Sequence, residues 1–172
     1  TVYPGVTAQT WLPELEDLGL EIGVDVEIAY CPERFNPGDP AHGVRQVARV
    51  IGCSNPEVGA GLVGLYSRLT TEDVRYVGKL EVAEAAKVIE NVQRDINIAL
   101  VNELARIFPE LDVDVEDVLS AAATKWNFHR YTPGVGVGGH CIPVDPYYMM
   151  QRAADVGVPA ELISAARSVN RS

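Results

Sequence analysis

The chain of 172 residues is predicted to be α/β in its first part and all-α in its second, with one long helix joining the two. Two observations support this prediction. Short helical and strand patterns alternate up to about residue 70. Over 82–107, apolar residues then recur with a period of 3.6, and this helix of ~26 residues would be ~39 Å long. An apolar fraction of 47% is typical of a packed globular protein.

The first part follows a regular order of short elements. Helical spacing, strand-forming runs and turn residues give four elements: a helix at 7–18, a strand at 26–30, a strand at 47–52 and a helix at 56–69. This alternation is typical of a parallel α/β sheet. The first βα units of such a sheet do not occur in these 172 residues. The chain is therefore expected to be an excised fragment that begins within a dinucleotide-binding domain.

The second part is predicted to be helical except for one loop. A helix at 114–123 begins with Asp114 and has an acidic first turn, which the helix dipole favours. A glycine-rich loop follows at 132–146, and a final helix begins at about 146 with a break near 157–159. These patterns indicate that the chain changes from α/β to long helix at about residue 80.

Composition excludes several classes of function. A net charge of −10 disfavours nucleic acid as a partner, because phosphates require a basic surface. No apolar stretch reaches the roughly 18 residues of a membrane span. The cysteines at 31, 53 and 141 are odd in number and lack metal-ligand spacing. They indicate a reduced, cytoplasmic protein without a metal site.

The glycine-rich loop Gly134–Gly139 satisfies the pattern G-x-G-x-x-G. No strand precedes it, and Pro143 and Pro146 interrupt the helix that should hold a pyrophosphate. We therefore do not interpret it as a dinucleotide fingerprint. Its exposed amides can still approach a ligand closely and bind phosphate.

Cys141 follows this loop, with His140 beside it and Asp145 four residues later. A lone cysteine is more often a buried structural residue. Here the neighbouring glycine amides could stabilise both a thiolate and a developing oxyanion. Zinc is disfavoured because adjacent side chains diverge and no second ligand pair occurs.

A polar face of the long helix carries Glu84, Lys87, Asn91 and Asp95, about 150° from the centre of the apolar stripe. Periodicity alone predicts that this face is solvated and that Glu84 and Lys87 form a surface ion pair. Glu33 lies just beyond a strand, where open α/β sheets place their ligands, although a loop glutamate is usually only solvated.

Together these segments resemble the UDP-glucose/GDP-mannose dehydrogenase family. The resemblance is carried by Thr1–Gly5, Tyr30–Asp39, Ala83–Lys87 with Asn91 and Asn102-Glu103, and Pro133–Pro146. It implies that 1–78 is the second half of a Rossmann-like NAD-binding domain. Residues 79–172 would then be the central domain, which forms a homodimer through the long helix. The cofactor fingerprint and the UDP-binding domain are expected to lie outside the fragment.

The reaction that the resemblance implies is a four-electron oxidation of a nucleotide-sugar C6 alcohol to a carboxylate, with two NAD as acceptors. Cys141 matches the nucleophile that forms a thiohemiacetal and then a thioester. Lys87 matches the lysine that stabilises the oxyanion, and Asn91 matches its hydrogen-bonding partner.

Three further catalytic positions follow from the same resemblance. Asp145 matches an aspartate that helps to position water or the base. Glu33 matches the glutamate associated with thioester hydrolysis, and Thr1 matches the threonine that holds a water molecule. Because the cofactor domain is expected to be elsewhere, the fragment alone should hold Cys141 in place without turnover.

The resemblance also implies a substrate class. His140 and Val144 favour UDP-N-acetylmannosamine, or UDP-N-acetylglucosamine, over UDP-glucose. The substrate-binding positions that it implies are Gly136, Gly138, Gly139, His140, Lys125 and Arg130. The alternatives are a UDP-glucose 6-dehydrogenase, an enzyme like the β-hydroxyacid dehydrogenases, which share Lys-x-x-x-Asn but need no cysteine, and a non-catalytic dimerisation module.

Overall fold

A computed structural model describes residues 2–35 and 38–171 of the chain. It divides into two compact units, one that ends at Val88 and one that begins at Ile89. The small sheet lies in the first unit, and the second unit is helical. This agrees with the predicted order of α/β followed by all-α.

The sheet of the first unit has three strands in the order β1 (Ala29–Tyr30), β2 (Arg49–Cys53) and β3 (Val74–Gly78). β2 and β3 are parallel, whereas β1 is antiparallel to β2. The prediction of a fully parallel sheet was therefore wrong at this edge. β3 was not predicted at all, because Arg75 interrupts an otherwise apolar run of only five residues.

Helices of the first unit flank these strands along the chain. A π-helical turn at Thr7–Trp11 continues into α1 (Leu12–Asp17), and α2 (Pro56–Tyr66) follows β2. α2 begins where predicted, because Asn55 Oδ1 accepts the Glu57 N–H at 3.0 Å and Pro56 occupies the first turn. A short 3₁₀ helix spans Pro40–His42.

α3 (Leu80–Ile107) has 28 residues and is therefore about 42 Å long. Its pattern of burial departs from what periodicity predicts, although apolar residues such as Val92 and Ala99 are buried. Apolar side chains on one face are 44–54% exposed: Val82, Ile89, Leu100 and Ile107. Polar residues about 145° away are buried: Glu84 and Asp95 at 0% and Asn102 at 8% exposure. The prediction of a solvated polar face was wrong, because hydrogen-bond partners cover these groups.

The second unit contains a 3₁₀ helix at Phe108–Leu111, α4 (Val115–Ala122), α5 (Asp145–Asp155) and α6 (Glu161–Arg171). Asp114 caps α4 as predicted, with Oδ1 accepting the Glu116 N–H at 2.7 Å. The predicted break is also confirmed, since α5 ends before Gly157, whose φ is +73°. No helix in the described part of the chain has the length and apolarity to cross a membrane.

Candidate active site

The loop that carries Cys141 turns directly into α5. The Cys141 carbonyl accepts the N–H groups of Val144 at 3.0 Å and Asp145 at 2.8 Å. Gly136 and Gly139 both have a φ of +85°, a backbone conformation that residues other than glycine rarely adopt. The Cys141 thiol is half-buried and forms no disulfide. A single turn thus fixes the spacing between this thiol and the aspartate that begins α5.

Asp145 is tied to α3. Asn91 Nδ2 donates to Asp145 Oδ2 at 2.5 Å, and Asp145 is only 1% exposed. A carboxylate buried to this degree requires strong donors. Three of the predicted catalytic residues are therefore linked within the second unit. Asp145 connects them, because its carboxylate accepts from Asn91 and its N–H donates to the Cys141 carbonyl.

A buried polar cluster lies further along the same face of α3. Asp95 Oδ1 accepts from Arg167 at 2.5 Å and from Asn170 at 2.8 Å. Asn170 Oδ1 accepts from Asn102 Nδ2 at 2.9 Å, and Asn102 Oδ1 accepts the Gly134 N–H at 2.8 Å. This chain of bonds joins α6, α3 and the beginning of the glycine-rich loop.

Arg167 also contacts Tyr147 of α5, whose ring centroid lies 5.5 Å from the guanidinium carbon. A hydrogen bond from Arg167, aided by Arg171, lowers the pKa of Tyr147. Burial acts to lower the pKa of Arg167, but Tyr147 and Asp95 outweigh burial and raise it. Arg167 is therefore a permanent cation. It lies on α6 and connects this helix to Asp95 of α3 and to Tyr147 of α5.

Glu33 of the first unit is held by a buried arginine. Its Oε2 accepts from both terminal nitrogens of Arg49 at 3.2 Å, and its Oε1 accepts the amides of Arg34 and Phe35. Arg49 is 6% exposed and stacks over Tyr66. Burial acts to raise the pKa of Glu33, but the Phe35 and Arg34 amides and Arg49 together lower it. Glu33 is thus an ionised, oriented carboxylate rather than a freely solvated one.

Glu84 anchors Gly5 and Thr7, in the segment that follows Thr1, a predicted catalytic residue. Its carboxylate accepts the Gly5 N–H at 2.5 Å, the Thr7 N–H at 3.0 Å and the Thr7 hydroxyl at 2.5 Å. The predicted surface ion pair with Lys87 is not what holds this buried carboxylate. Lys87 is half-buried on α3, and Thr1 itself lies outside the described residues.

The predicted substrate-binding cations differ in their surroundings. Lys125 and His140 are exposed. Arg130 pairs with Glu116 and lies 3.3 Å from the Ser120 hydroxyl, so it contacts α4. Among the described residues, no group of three or more His, Cys, Asp or Glu side chains is arranged to bind a metal ion.

Sequence reasoning missed the residues that hold the predicted ones. No sequence pattern led to Arg49, Arg167 or Asn170, and Asn102 entered the resemblance without a role. One signal could have found Asn102: Glu84, Asn91, Asp95 and Asn102 are spaced by 7, 4 and 7 residues and so share a face. Arg49, the only charge in its five-residue strand, is a second signal.

Comparison with known families gives matches along almost the whole chain. The central domain of the UDP-glucose/GDP-mannose dehydrogenase family matches residues 81–172, and the NAD binding domain of the same family matches residues 1–70. The chain belongs to this family. Its cofactor is accordingly NAD. In this family member, however, the pattern G-x-G-x-x-G lies between α4 and α5, where the described residues form no strand, so we assign no residue here to NAD.

Relatives of this family member include nucleotide-sugar dehydrogenases. Protein CapL of Staphylococcus aureus is 49% identical over 99% of the chain, and UDP-N-acetyl-D-glucosamine 6-dehydrogenase of Pseudomonas aeruginosa is 48% identical over 99%. The structure of UDP-D-ManNAc dehydrogenase from Pyrococcus horikoshii superposes with a TM-score of 0.89 at 34% identity, covering 99% of the chain. The chain spans 40% of the length of each of these proteins.

Proposed function

We propose that the whole protein oxidises C6 of a UDP-N-acetylhexosamine to the carboxylate, with NAD as hydride acceptor. The observation that carries this proposal is the link Cys141–Asp145–Asn91. A half-buried thiol follows a glycine-rich loop, and the next turn places a buried, hydrogen-bonded carboxylate after it. This arrangement suits covalent catalysis, in which a thiol converts an aldehyde into an adduct that can lose hydride.

The proposed reaction has two oxidations. The C6 alcohol first loses a proton and a hydride to give the aldehyde. The Cys141 thiolate then adds to C6, which forms a C–S bond and leaves the negative charge on the C6 oxygen. This thiohemiacetal oxyanion re-forms the C=O bond as it loses a second hydride, which gives a thioester. Water attacks the thioester carbonyl, the C–S bond breaks, and the acid and the free thiol are released. NAD supplies only the hydride acceptor in each oxidation.

The proposed roles of the other residues follow from the family resemblance. Lys87 stabilises the oxyanion at C6 as a cation, and Asn91 donates to the same centre. Asn91 also holds Asp145, which orients water or the base. Glu33 assists thioester hydrolysis as an ionised carboxylate, and Thr1 holds the attacking water.

On the substrate side, we propose that amides of Gly136, Gly138 and Gly139 and the exposed side chains of His140 and Lys125 contact the nucleotide sugar, with Arg130 as an additional cation. His140 and Val144 favour UDP-N-acetylmannosamine or UDP-N-acetylglucosamine over UDP-glucose. The identity of 48% to the enzyme named for UDP-N-acetyl-D-glucosamine exceeds the 34% to the structure named for UDP-D-ManNAc, which favours the glucosamine epimer. Steady-state kinetics with both epimers and with UDP-glucose will decide between them.

We also propose that the protein is a homodimer through α3. The exposed apolar face of Ile89, Leu100 and Ile107 is a surface that a second copy of the same helix can cover, since contiguous apolar patches mark interaction sites. Leu100→Glu should shift the sedimentation of the whole protein from dimer towards monomer. The control variant Leu162→Glu, at a leucine of α6 that is 65% exposed against 54% for Leu100, should leave it dimeric. A Leu100→Glu protein that remains dimeric would exclude this interface.

The catalytic proposal is tested by Cys141→Ser in the whole protein, with Cys31→Ser as the matched control. Cys141→Ser should abolish formation of the acid from the UDP-sugar, whereas Cys31→Ser should retain it. Mass spectrometry should also detect a thioester on the Cys141 peptide after rapid acid quench. Acid formation by Cys141→Ser would reject the mechanism and favour chemistry like that of the β-hydroxyacid dehydrogenases. A catalytic thiolate needs a reducing compartment, which is consistent with the proposed cytoplasmic location.

A further inference from the structure

The glycine-rich loop before Cys141 is attached to the second unit at a point well before the cysteine. The Gly134 N–H donates to Asn102 Oδ1 at 2.8 Å, a bond between residues 32 positions apart in sequence. Asn102 is 8% exposed and lies on the polar face of α3. Its other amide atom, Nδ2, donates to Asn170 Oδ1 at 2.9 Å. Asn102 therefore uses its acceptor for the loop and its donor for α6.

Asn170 holds Asn102 in a fixed orientation. Its Nδ2 donates both to the backbone carbonyl of Asp95 at 2.9 Å and to Asp95 Oδ1 at 2.8 Å. Since Nδ2 faces acceptors, Oδ1 of Asn170 must face Asn102. The amide orientation of Asn102 is fixed in turn, with its oxygen directed at the loop. The charged pair Asp95–Arg167 thus determines, through two amides, which atom the loop meets.

A second contact brings the loop against α6. Gly136 has a φ of +85°, and a Cβ added there would lie 2.6 Å from the carbonyl oxygen of Asn170. That atom belongs to the backbone and cannot move aside. By contrast, a Cβ at Gly138 would meet nothing within 4 Å, and its φ lies outside the left-handed range. The loop is therefore fixed at 134 and 136 and has space around it at 138.

We propose that Asn102 is a positioning residue for the nucleophile: it fixes the beginning of the glycine-rich loop and so sets where Cys141 stands. The inference rests on the proposed function, because it assigns the loop a catalytic thiol. Four of the six residues 134–139 are glycines, which lose more conformational freedom on ordering than any other residue. Side chains from α3 and α6 must supply the order that the loop sequence lacks.

The test compares Asn102→Ala with Asn97→Ala in the whole protein. Asn97 is a matched control, because its side chain donates only within α3, to the Gln93 carbonyl at 2.9 Å. Two measurements without NAD or substrate report on the loop: hydrogen exchange of the peptide 133–141, and the rate of Cys141 alkylation by iodoacetamide, resolved by mass spectrometry. The alkylation rate of Cys31, in the other unit, is an internal control.

Asn102→Ala should accelerate exchange of the loop peptide and alkylation of Cys141 by about two- to tenfold, the range expected for loss of one buried hydrogen bond. Cys31 should react at its original rate. In the kinetic assay, kcat should fall by a similar factor while the KM for NAD stays within about twofold. Loop exchange and Cys141 alkylation that match those of Asn97→Ala would overturn the proposal.

A second pair of variants keeps the test decisive if Asn102→Ala does not fold. Gly136→Ala should displace the loop from α6 and accelerate both loop exchange and Cys141 alkylation. Gly138→Ala should leave both rates close to wild type. Equal behaviour of the two alanine variants would overturn the proposal. The proposal would also be overturned if these variants accelerate loop exchange but leave kcat unchanged, while Cys141→Ser inactivates the enzyme. Activity of Cys141→Ser would reject the proposed function alone, because exchange and alkylation require no turnover.

Discussion

Asn91 and Asp145 are joined by a hydrogen bond of 2.5 Å, although they are 54 positions apart in the sequence. The bond connects the polar face of α3 to the first residue of α5. The Cys141 carbonyl accepts the N–H groups of Val144 and Asp145 in the first turn of the same helix. The side-chain amide of Asn91 therefore holds both the buried carboxylate and the end of the loop that carries Cys141. The energetic weight of this bond can be measured.

Asn91→Ala should destabilise the protein by about 1.5–3 kcal/mol, since it removes a donor from a buried carboxylate. Urea unfolding followed by circular dichroism measures this loss. Asn97→Ala is the matched control and should cost less than about 1 kcal/mol, as expected for an exposed bond within one helix. Equal losses in the two variants would show that the Asn91–Asp145 bond contributes nothing specific.

The pairing of Glu33 with Arg49 predicts a dependence of stability on pH. The folded-state pKa of Glu33 lies below its ordinary value of 4.5. Its contribution to the free energy of unfolding is therefore fully present above that value and disappears as the pH falls through the folded-state pKa. Glu33→Gln should lower the urea midpoint at pH 7, and this difference from wild type should shrink as the pH falls below 4.5. A difference that grows on acidification would contradict the assigned direction.

The buried pair Asp95–Arg167 should be far more sensitive to substitution than an exposed pair. Arg167→Met leaves the carboxylate of Asp95 at 0% exposure without its cation, which typically costs about 3–5 kcal/mol. Arg152→Met, which breaks the pair with Asp155 on the surface of α5, should cost about 0–1 kcal/mol. Thermal unfolding of both variants provides the comparison, and a small effect of Arg167→Met would indicate that Asp95 finds another partner.

Two glycines of the first unit should respond to alanine in opposite ways. A Cβ at Gly52 of β2 would lie 2.7 Å from the Lys79 carbonyl oxygen and 2.9 Å from Leu80 Cα, so Gly52→Ala should destabilise by about 1–3 kcal/mol. A Cβ at Gly64 of α2 would meet nothing within 4 Å. Gly64→Ala should stabilise by about 0.5–1 kcal/mol, because alanine favours the helix and restricts the unfolded chain. Changes of the same sign in the two denaturation curves would contradict this assignment.

The sequence was informative where structure depends on neighbours along the chain. The helix over 82–107, the Asp114 cap and the break near Gly157 are local patterns, and all three are confirmed. The family was equally accessible, because the run from Gly138 to Pro146 is specific.

Burial on α3 was not predictable in the same way. Whether Asp95 faces water depends on Arg167 and Asn170, which are 72 and 75 positions away. Periodicity separates a polar from an apolar face but does not state which face meets the protein. The strand at β1 was predicted, but its antiparallel direction was missed for a similar reason, since two residues carry no signal about the direction of their partner.

The two opposed faces of α3 also restrict how this helix can change in length. One inserted residue between Asn97 and Ile98 would rotate everything after it by about 100°, which would turn Asn102 away from Asn170 and Leu100 away from Ile89. Seven inserted residues would nearly restore the rotation but shift the two parts by about 10.5 Å, and Asn170 could no longer bridge Asp95 and Asn102. Evolution can therefore accept substitutions on this helix, whereas selection should remove insertions and deletions between 95 and 102.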